Sequence, residues 1–182
     1  MLFFLRGIWY SFKYIQNCMQ SIGETMRKAN REITDFQEKV ALLERCDTIR
    51  LGITDSDAPY IVPVSFGYEV TGETITVYFH GAVAGRKFEL LKQHPRVCVE
   101  ADVCNGFVDN GEGGFTCDYE SLIGWGNAVL LEGEEAEKGV RLLMEHCGYG
   151  EYACGGEVMK ITAVHKITLD TLTGKRRFLP RA

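Results

Sequence analysis

The sequence has little of what marks a membrane protein or a nucleic-acid binder. Among its 182 residues, no apolar run approaches the roughly 20 residues that a membrane-spanning helix needs. Positive charge is not in excess, since 20 Lys and Arg stand against 25 Asp and Glu. The 46% hydrophobic content is ordinary for a chain that buries a core and too high for a disordered one. We therefore expect one globular domain, with no membrane span and no general affinity for nucleic acid.

The seven cysteines form no C-x-x-C motif, and their odd number argues against a secreted disulfide scaffold. Two groupings, Cys98-x5-Cys104 and His146-Cys147-x6-Cys154, match no common zinc spacing. We therefore expect free thiols, a cytoplasmic protein and no metal site.

Residues 1–25 differ in character from the rest of the chain. They are apolar and aromatic, yet Arg6 and Lys13 interrupt them, which does not fit a signal peptide. We expect residues 1–25 to be an N-terminal extension, arising either from a start codon assigned upstream of Met26 or from an amphipathic membrane-surface segment. The compact domain is then expected over residues 26–182.

Apolar alternation from there on predicts a mainly β fold. It predicts six strands, within TIRLGITD, YIVPVSFGYEV, TITVYFHG, RVCVEADV, ESLIGWGNAVLLEG and KITAVHKITLDTLTGKR. Helical spacing predicts short helices in ITDFQEKVALLERC, GRKFELLKQHP and EEAEKGVRLLMEHC, and CNGFVDNGEGGF is interpreted as a glycine-rich loop. This order predicts a closed antiparallel β-barrel with short α-helices. His165 is expected on the polar face of its strand.

The stretch VYFHGAVAGRKFELLKQHP, from Val77 to Pro95, combines a strand end with a cationic helix start. Free backbone N–H groups and the helix dipole suit an anion there, and Arg86 and Lys87 would add charge-assisted hydrogen bonds. Spacing alone leaves open the alternative of a plain helix start with solvated cations. His80, at the strand end, could face a ligand or could be structural.

Two segments of the sequence resemble a known family when they are taken together. The first contains Pro59-Tyr60, Pro63-Val64-Ser65, Tyr78-Phe79-His80-Gly81-Ala82, Gly85-Arg86-Lys87 and the HPRV that follows. The second is YESLIGWGNAVLLEGEEAEKGVRLLMEH. Their order and spacing resemble the flavin-binding split-barrel proteins related to pyridoxamine phosphate oxidase, and within them the nitroimidazole-resistance proteins.

The resemblance implies a six-stranded split barrel that forms a homodimer, with FMN in each of two sites at the subunit interface. It implies cofactor-binding roles for ten residues: Pro63, Val64, Ser65, His80, Gly81, Ala82, Gly85, Arg86, Lys87 and Ser121. Among these, Lys87 corresponds best to the phosphate ligand. His80 corresponds to a histidine near the flavin ring and is the candidate catalytic residue.

The implied function is an FMN-dependent oxidoreductase, possessing few catalytic side chains because flavin brings the redox chemistry itself. Reduced flavin would pass electrons to a small aromatic or nitro compound, with NADH or NADPH as a donor. The sequence shows no Ser-His-Asp order and no base beside Cys104 or Cys117. Two alternatives stay open: a flavin carrier or redox sensor without turnover, and a heme protein with His80 or His165 as axial ligand.

Overall fold

A computed structural model of the chain describes residues 26–151 and 156–177. The chain divides into two units, Met1–Glu32 and Ile33–Ala182. In the first unit the described residues include one 3-10 turn, Ala29–Arg31. The predicted extension over residues 1–25 lies outside the described residues.

The described part of the chain contains eight β-strands and four α-helices. The strands are β1 (Glu32–Ile33), β2 (Ile49–Ile53), β3 (Tyr60–Val64), β4 (Phe66–Thr71), β5 (Thr74–Ala82), β6 (Arg96–Asp109), β7 (Phe115–Leu131) and β8 (Thr162–Arg177). The helices are α1 (Phe36–Glu44), α2 (Arg86–Gln93), α3 (Gly133–His146) and α4 (Glu157–Lys160).

The sheet closes on itself because its two ends are consecutive in the chain. Its strands follow the order β3-β2-β6-β7-β8-β5-β4, with β1 off this path, and the pairs along it are antiparallel. The first and last strands of that path are separated in sequence by Ser65 alone. The sheet must therefore curl until these ends meet, which gives a split barrel.

The inner face of this barrel holds the main hydrophobic core. Alternate residues of the paired strands point inward, so that Ile49, Leu51 and Ile53 of β2 are all fully buried. Helix α1 adds Leu42 and Leu43 to the same core. The side chain of Asp35 caps α1 by accepting a hydrogen bond from the Glu38 backbone N–H at 2.9 Å.

Helix α3 packs on the outer face and buries a second cluster there. Tyr78 of β5 and Val164 of β8 are buried with Val140 of this helix. Gly139 permits the approach, since a Cβ atom on it would lie 2.9 Å from the Tyr78 ring. At this end of the barrel both faces of β5 and β8 are therefore covered.

The predicted fold class, a mainly β antiparallel split barrel with short helices, is confirmed. The sheet has eight strands rather than six, because the predicted strand YIVPVSFGYEV divides at Ser65 and because β1 adds a short strand. The prediction of a loop at CNGFVDNGEGGF was wrong for most of its length. Strands β6 and β7 continue as a paired arm, and only residues 110–114 turn between them.

Candidate functional site

The cationic helix start predicted from the sequence is present at the N-terminus of α2. Gly85 occupies the N-cap position with a φ of 109°, a conformation that favours glycine. Arg86 and Lys87 are the first two residues of the helix. The first backbone N–H groups of a helix have no partner within it, so this turn presents donors and cations together.

Lys87 lies half-buried against the end of β5. Its Nζ donates a hydrogen bond to the carbonyl oxygen of His80 at 3.1 Å and lies 5.5 Å from the centroid of the Phe79 ring. A Cβ atom on Gly81 would lie 2.7 Å from this nitrogen, so the glycine makes room for the ammonium group. Burial lowers the pKa of Lys87 below its ordinary value.

No carboxylate of residues 26–151 or 156–177 lies within ion-pair distance of the Lys87 ammonium. A half-buried cation without an acidic partner has lost hydration without gaining a counter-charge. This position is therefore suited to an anion from outside the chain.

Arg86 points elsewhere, although it is the adjacent residue. Its guanidinium group makes a two-nitrogen contact with the carboxylate of Asp55, with Nε donating at 3.0 Å, and lies 4.9 Å from the centroid of the Tyr60 ring. The hydrogen bond from Arg86, followed by that from the Ser56 backbone, lowers the pKa of Asp55. The charge of Arg86 is thus already partly neutralised.

His80 and Ser65 lie at the same end of the β4–β5 pair. Phe66 of β4 pairs with Phe79 of β5 in an antiparallel register. Ser65 precedes Phe66 and His80 follows Phe79, so Ser65 and His80 come side by side. Both Phe side chains point inward and are fully buried, whereas Ser65 and His80 are exposed on the outer face. Burial and then the charge of Lys87 lower the pKa of His80, so its imidazole is mainly neutral near pH 7.

The prediction that His165 lies on an exposed polar face was wrong. Its side chain is only 5% exposed and stacks on the Phe79 ring at 5.2 Å between centroids, with Phe88 at its edge. Its Nδ1 atom is buried without a hydrogen-bond partner. Burial and then the charge of Lys87 lower the pKa of His165 to about 4.

The other predicted residues take different positions. Pro63 is exposed on β3. The side chain of Val64 points into the core, so Val64 can contact a ligand on the outer face only through its backbone. Ala82 is exposed at the end of β5. Ser121 is half-buried on β7, paired with Asp102 and Lys175. The structure therefore brings His80, Gly81 and Lys87 into contact, whereas Ser121 lies on a strand that pairs with neither β3 nor β5.

A cavity of about 670 Å³ lies on the outer face of β2, β3 and β6 and contains none of the predicted site residues. Its walls include Asp55, Ile61, Cys98 and Trp125. Asp55 also holds Arg86, so this residue joins the cavity to the helix start. Two features of the sequence mark the cavity walls: the turn SDAP at residues 56–59 and the glycines on either side of Trp125. Neither feature predicts a cavity.

Two kinds of site are absent from the part of the chain that the structure describes. No group of three or more His, Cys, Asp and Glu side chains there could hold a metal ion. No helix in that part is long and apolar enough to cross a membrane.

Comparison with solved structures supports the split-barrel assignment. A candidate 5-nitroimidazole antibiotic resistance protein from Bacteroides thetaiotaomicron is 27% identical, with a TM-score of 0.71 over 79% of this chain and 85% of that one. The flavocytochrome Anf3 from Azotobacter vinelandii, at 23% identity, gives a TM-score of 0.74 over 88% and 75%. An FAD- and heme-binding protein from Mycobacterium smegmatis, at 15% identity, gives 0.70 over 84% and 76%. These last two show the fold alone.

A search of the curated proteins found no significant match. The sequence model of the pyridoxamine 5'-phosphate oxidase family, in contrast, matches residues 35–176. That range covers β2 to β8 except the final residue of β8, and it includes every predicted site residue. The chain is therefore a member of the pyridoxamine 5'-phosphate oxidase family.

Proposed function

We propose that this protein is an FMN-dependent oxidoreductase that reduces a small aromatic or nitro compound. The observation that carries the proposal is Lys87, a half-buried cation without a carboxylate partner among the described residues, in the first turn of α2. A phosphate monoester supplies the missing counter-charge and accepts hydrogen bonds from the backbone N–H groups of the same turn.

The residues at this turn fit a phosphate group. Gly81 leaves space for the Lys87 ammonium, and Gly85 brings no side chain over the start of the helix. Arg86 contributes a weaker second charge, because Asp55 already binds its guanidinium group. The flavocytochrome and the FAD- and heme-binding protein share this fold, which supports a flavin as the phosphate carrier.

The flavin ring is assigned to the outer face beside the helix start. Ser65, His80 and Ala82 are exposed there, and Pro63 lies on the same side of β3. A bound flavin supplies the hydride or electron chemistry, and the protein supplies position and electrostatics. With its pKa lowered, His80 is a neutral hydrogen-bonding group that orients the acceptor and becomes a proton donor only at lower pH.

We propose a homodimer with flavin at the subunit interface. The outer face of β3 and β7 exposes large apolar side chains: Ile61 is 58%, Ile123 38% and Trp125 37% exposed. Exposed apolar surface of this kind is typical of subunit interfaces. Ser121, which is remote from the helix start within one chain, could then serve the site of the second subunit.

Three further parts of the proposal concern the substrates, the compartment and the domain bounds. The likeness to the Bacteroides thetaiotaomicron protein supports a nitroimidazole-type acceptor, and NADH or NADPH is the proposed donor. The five described cysteines are free thiols, which supports a reducing compartment such as the cytoplasm. The family match from residue 35 onward supports a domain over residues 26–182.

The test is to identify the cofactor and then measure turnover. We expect the purified protein to carry FMN, released on denaturation, and to oxidise NADH or NADPH when a nitroimidazole is present. His80→Ala is expected to keep its flavin but change the turnover rate, whereas the control His94→Ala, exposed at the end of α2, changes neither.

Other results select the alternatives. Bound FMN without turnover over a range of donors and acceptors would indicate a flavin carrier or redox sensor. A Soret band without flavin absorbance would refute the proposal in favour of a heme protein. His165 has a buried Nδ1 atom without a hydrogen-bond partner. To serve as an axial heme ligand, its ring would have to separate from the rings of Phe79 and Phe88.

A further inference from the structure

Two cysteine side chains meet on the arm formed by β6 and β7. The Sγ atoms of Cys104 and Cys117 are 3.3 Å apart, although 13 positions separate them in sequence. Cys104 is exposed and Cys117 is partly exposed. The remaining described cysteines have no such neighbour: Cys46 is buried, Cys98 is partly buried and Cys147 is exposed.

The backbone brings these thiols together. Cys104 pairs with Tyr119 and Phe107 pairs with Cys117, and a bulge between Cys104 and Gly106 shifts the register between the two pairs. Gly106 has a φ of 119°, which suits the bulge. Both cysteines lie on the outer face of the arm, so the bulge turns two diagonal positions toward each other.

The end of the arm is also ordered by its own hydrogen bonds. The side chain of Asn110 accepts from the backbone N–H groups of Glu112 at 2.9 Å and Gly114 at 3.0 Å, and the Asp109 carboxylate accepts from Gly111 at 2.7 Å. These bonds fix the turn that closes the loop between the two cysteines. The approach of the sulfur atoms is therefore a property of the register and the turn.

We propose that Cys104 and Cys117 form a reversible thiol–disulfide site whose oxidant is a small-molecule disulfide. The thiolate of the more exposed Cys104 attacks one sulfur of the small disulfide, which forms a mixed disulfide and releases one small thiolate. The thiolate of Cys117 then attacks the Cys104 sulfur and releases the second. Two protein thiols are oxidised to one disulfide, one small disulfide is reduced to two thiols, and the two protons pass through solvent.

The geometry suits the second step in particular. The sulfur atoms must close from 3.3 Å to a bond of about 2.05 Å, a change within reach of side-chain rotation. The contact with Cys104, followed by burial and the carboxylates Asp118 and Asp102, raises the pKa of Cys117. Closing two thiols to a disulfide removes two electrons, so the pair needs an external oxidant to close.

The position of Glu112 allows a direct test, because this exposed residue lies between the two cysteines. The full-length protein is incubated with glutathione disulfide, blocked with an alkylating reagent, unfolded and cleaved with a Glu-specific protease. We expect peptides from the two sides of Glu112 to remain joined and to separate on reduction. Loss of two hydrogens in the intact mass should accompany the link.

Two variants provide the controls. Cys117→Ser is expected to leave Cys104 as a mixed disulfide with glutathione, because the resolving thiol is gone. Cys147→Ser removes an exposed thiol that has no neighbouring cysteine among the described residues, and it should form the joined peptides to the same extent as the unaltered protein. Mixed disulfides that persist on both cysteines, or a link to a second chain on a non-reducing gel, would overturn the proposal.

Discussion

Phe79 and His80 are neighbours on β5, yet they belong to opposite faces of the barrel wall. Phe79 is fully buried in the core, stacked on His165, whereas His80 is exposed beside Ser65. The inner face is closed by packing around Phe79, so the buried His165 has no room for a ligand. The outer face and the adjoining helix start keep an exposed imidazole and the Lys87 ammonium available. The inner face therefore contributes stability, and the outer face is the one that the proposed ligand chemistry would use.

The largest effect should come from removing the inward side chain. Phe79→Ala deletes a fully buried aromatic ring from the core and is expected to lower the free energy of unfolding by about 3–5 kcal/mol. His80→Ala, one residue away on the exposed side, should change it by no more than about 0.5 kcal/mol. Urea unfolding of the two variants measures both values. Equal losses would show that the two faces do not differ as described.

A second effect concerns the buried histidine of the inner face. The pKa of His165 is about 4 in the folded protein and near 6.5 in an unfolded chain, so the unfolded state binds the extra proton first as the pH falls. His165 therefore costs no stability above pH 6.5 and progressively more down to pH 4, amounting to roughly 3 kcal/mol.

His165→Phe tests this because it keeps an aromatic ring against Phe79 and cannot titrate. We expect the difference in unfolding free energy between the variant and the unaltered protein to grow in favour of the variant from pH 6.5 to pH 4. Urea unfolding at several pH values measures it. A difference that stays constant with pH would contradict the assignment of a neutral, buried His165.

Strand β5 and His165 show how far the sequence can predict this fold. Strand β5 and the start of α2 were predicted because alternation, glycines and cations lie close together along the chain. His165 was misplaced because Ala163, Val164 and His165 are all buried. The outer face of β8 is covered by α3 there, and a strand buried on both faces loses the alternation on which the prediction relied.

The candidate site was predictable to a similar extent. Gly81 and Lys87 are close in sequence and lie in contact, and Gly85 is the N-cap residue directly before α2. The partner of Arg86 was not predictable, since Asp55 lies in a turn 31 residues away. The contact between Cys104 and Cys117 depends on a bulge whose effect on register has no periodic signal in the sequence.

The smallest effect separates the two cations at the helix start. Arg86→Ala should weaken FMN binding less than Lys87→Ala, because Asp55 already neutralises much of the guanidinium charge. Asp55→Asn should leave FMN affinity unchanged or raise it by freeing Arg86. Quenching of flavin fluorescence measures the dissociation constants. A greater loss in Arg86→Ala than in Lys87→Ala would reverse the roles of the two residues.

The central claim is that Lys87 binds the phosphate of FMN, and the most direct test compares FMN with riboflavin, which lacks that phosphate. Removing a charged hydrogen-bonding partner costs roughly 1.5–3 kcal/mol, so Lys87→Ala should weaken FMN binding by roughly 10- to 150-fold. Riboflavin affinity should not change, and Lys92→Ala, in the last turn of the same helix, should affect neither ligand. Equal losses of FMN and riboflavin affinity in Lys87→Ala, or no loss of either, would contradict the claim.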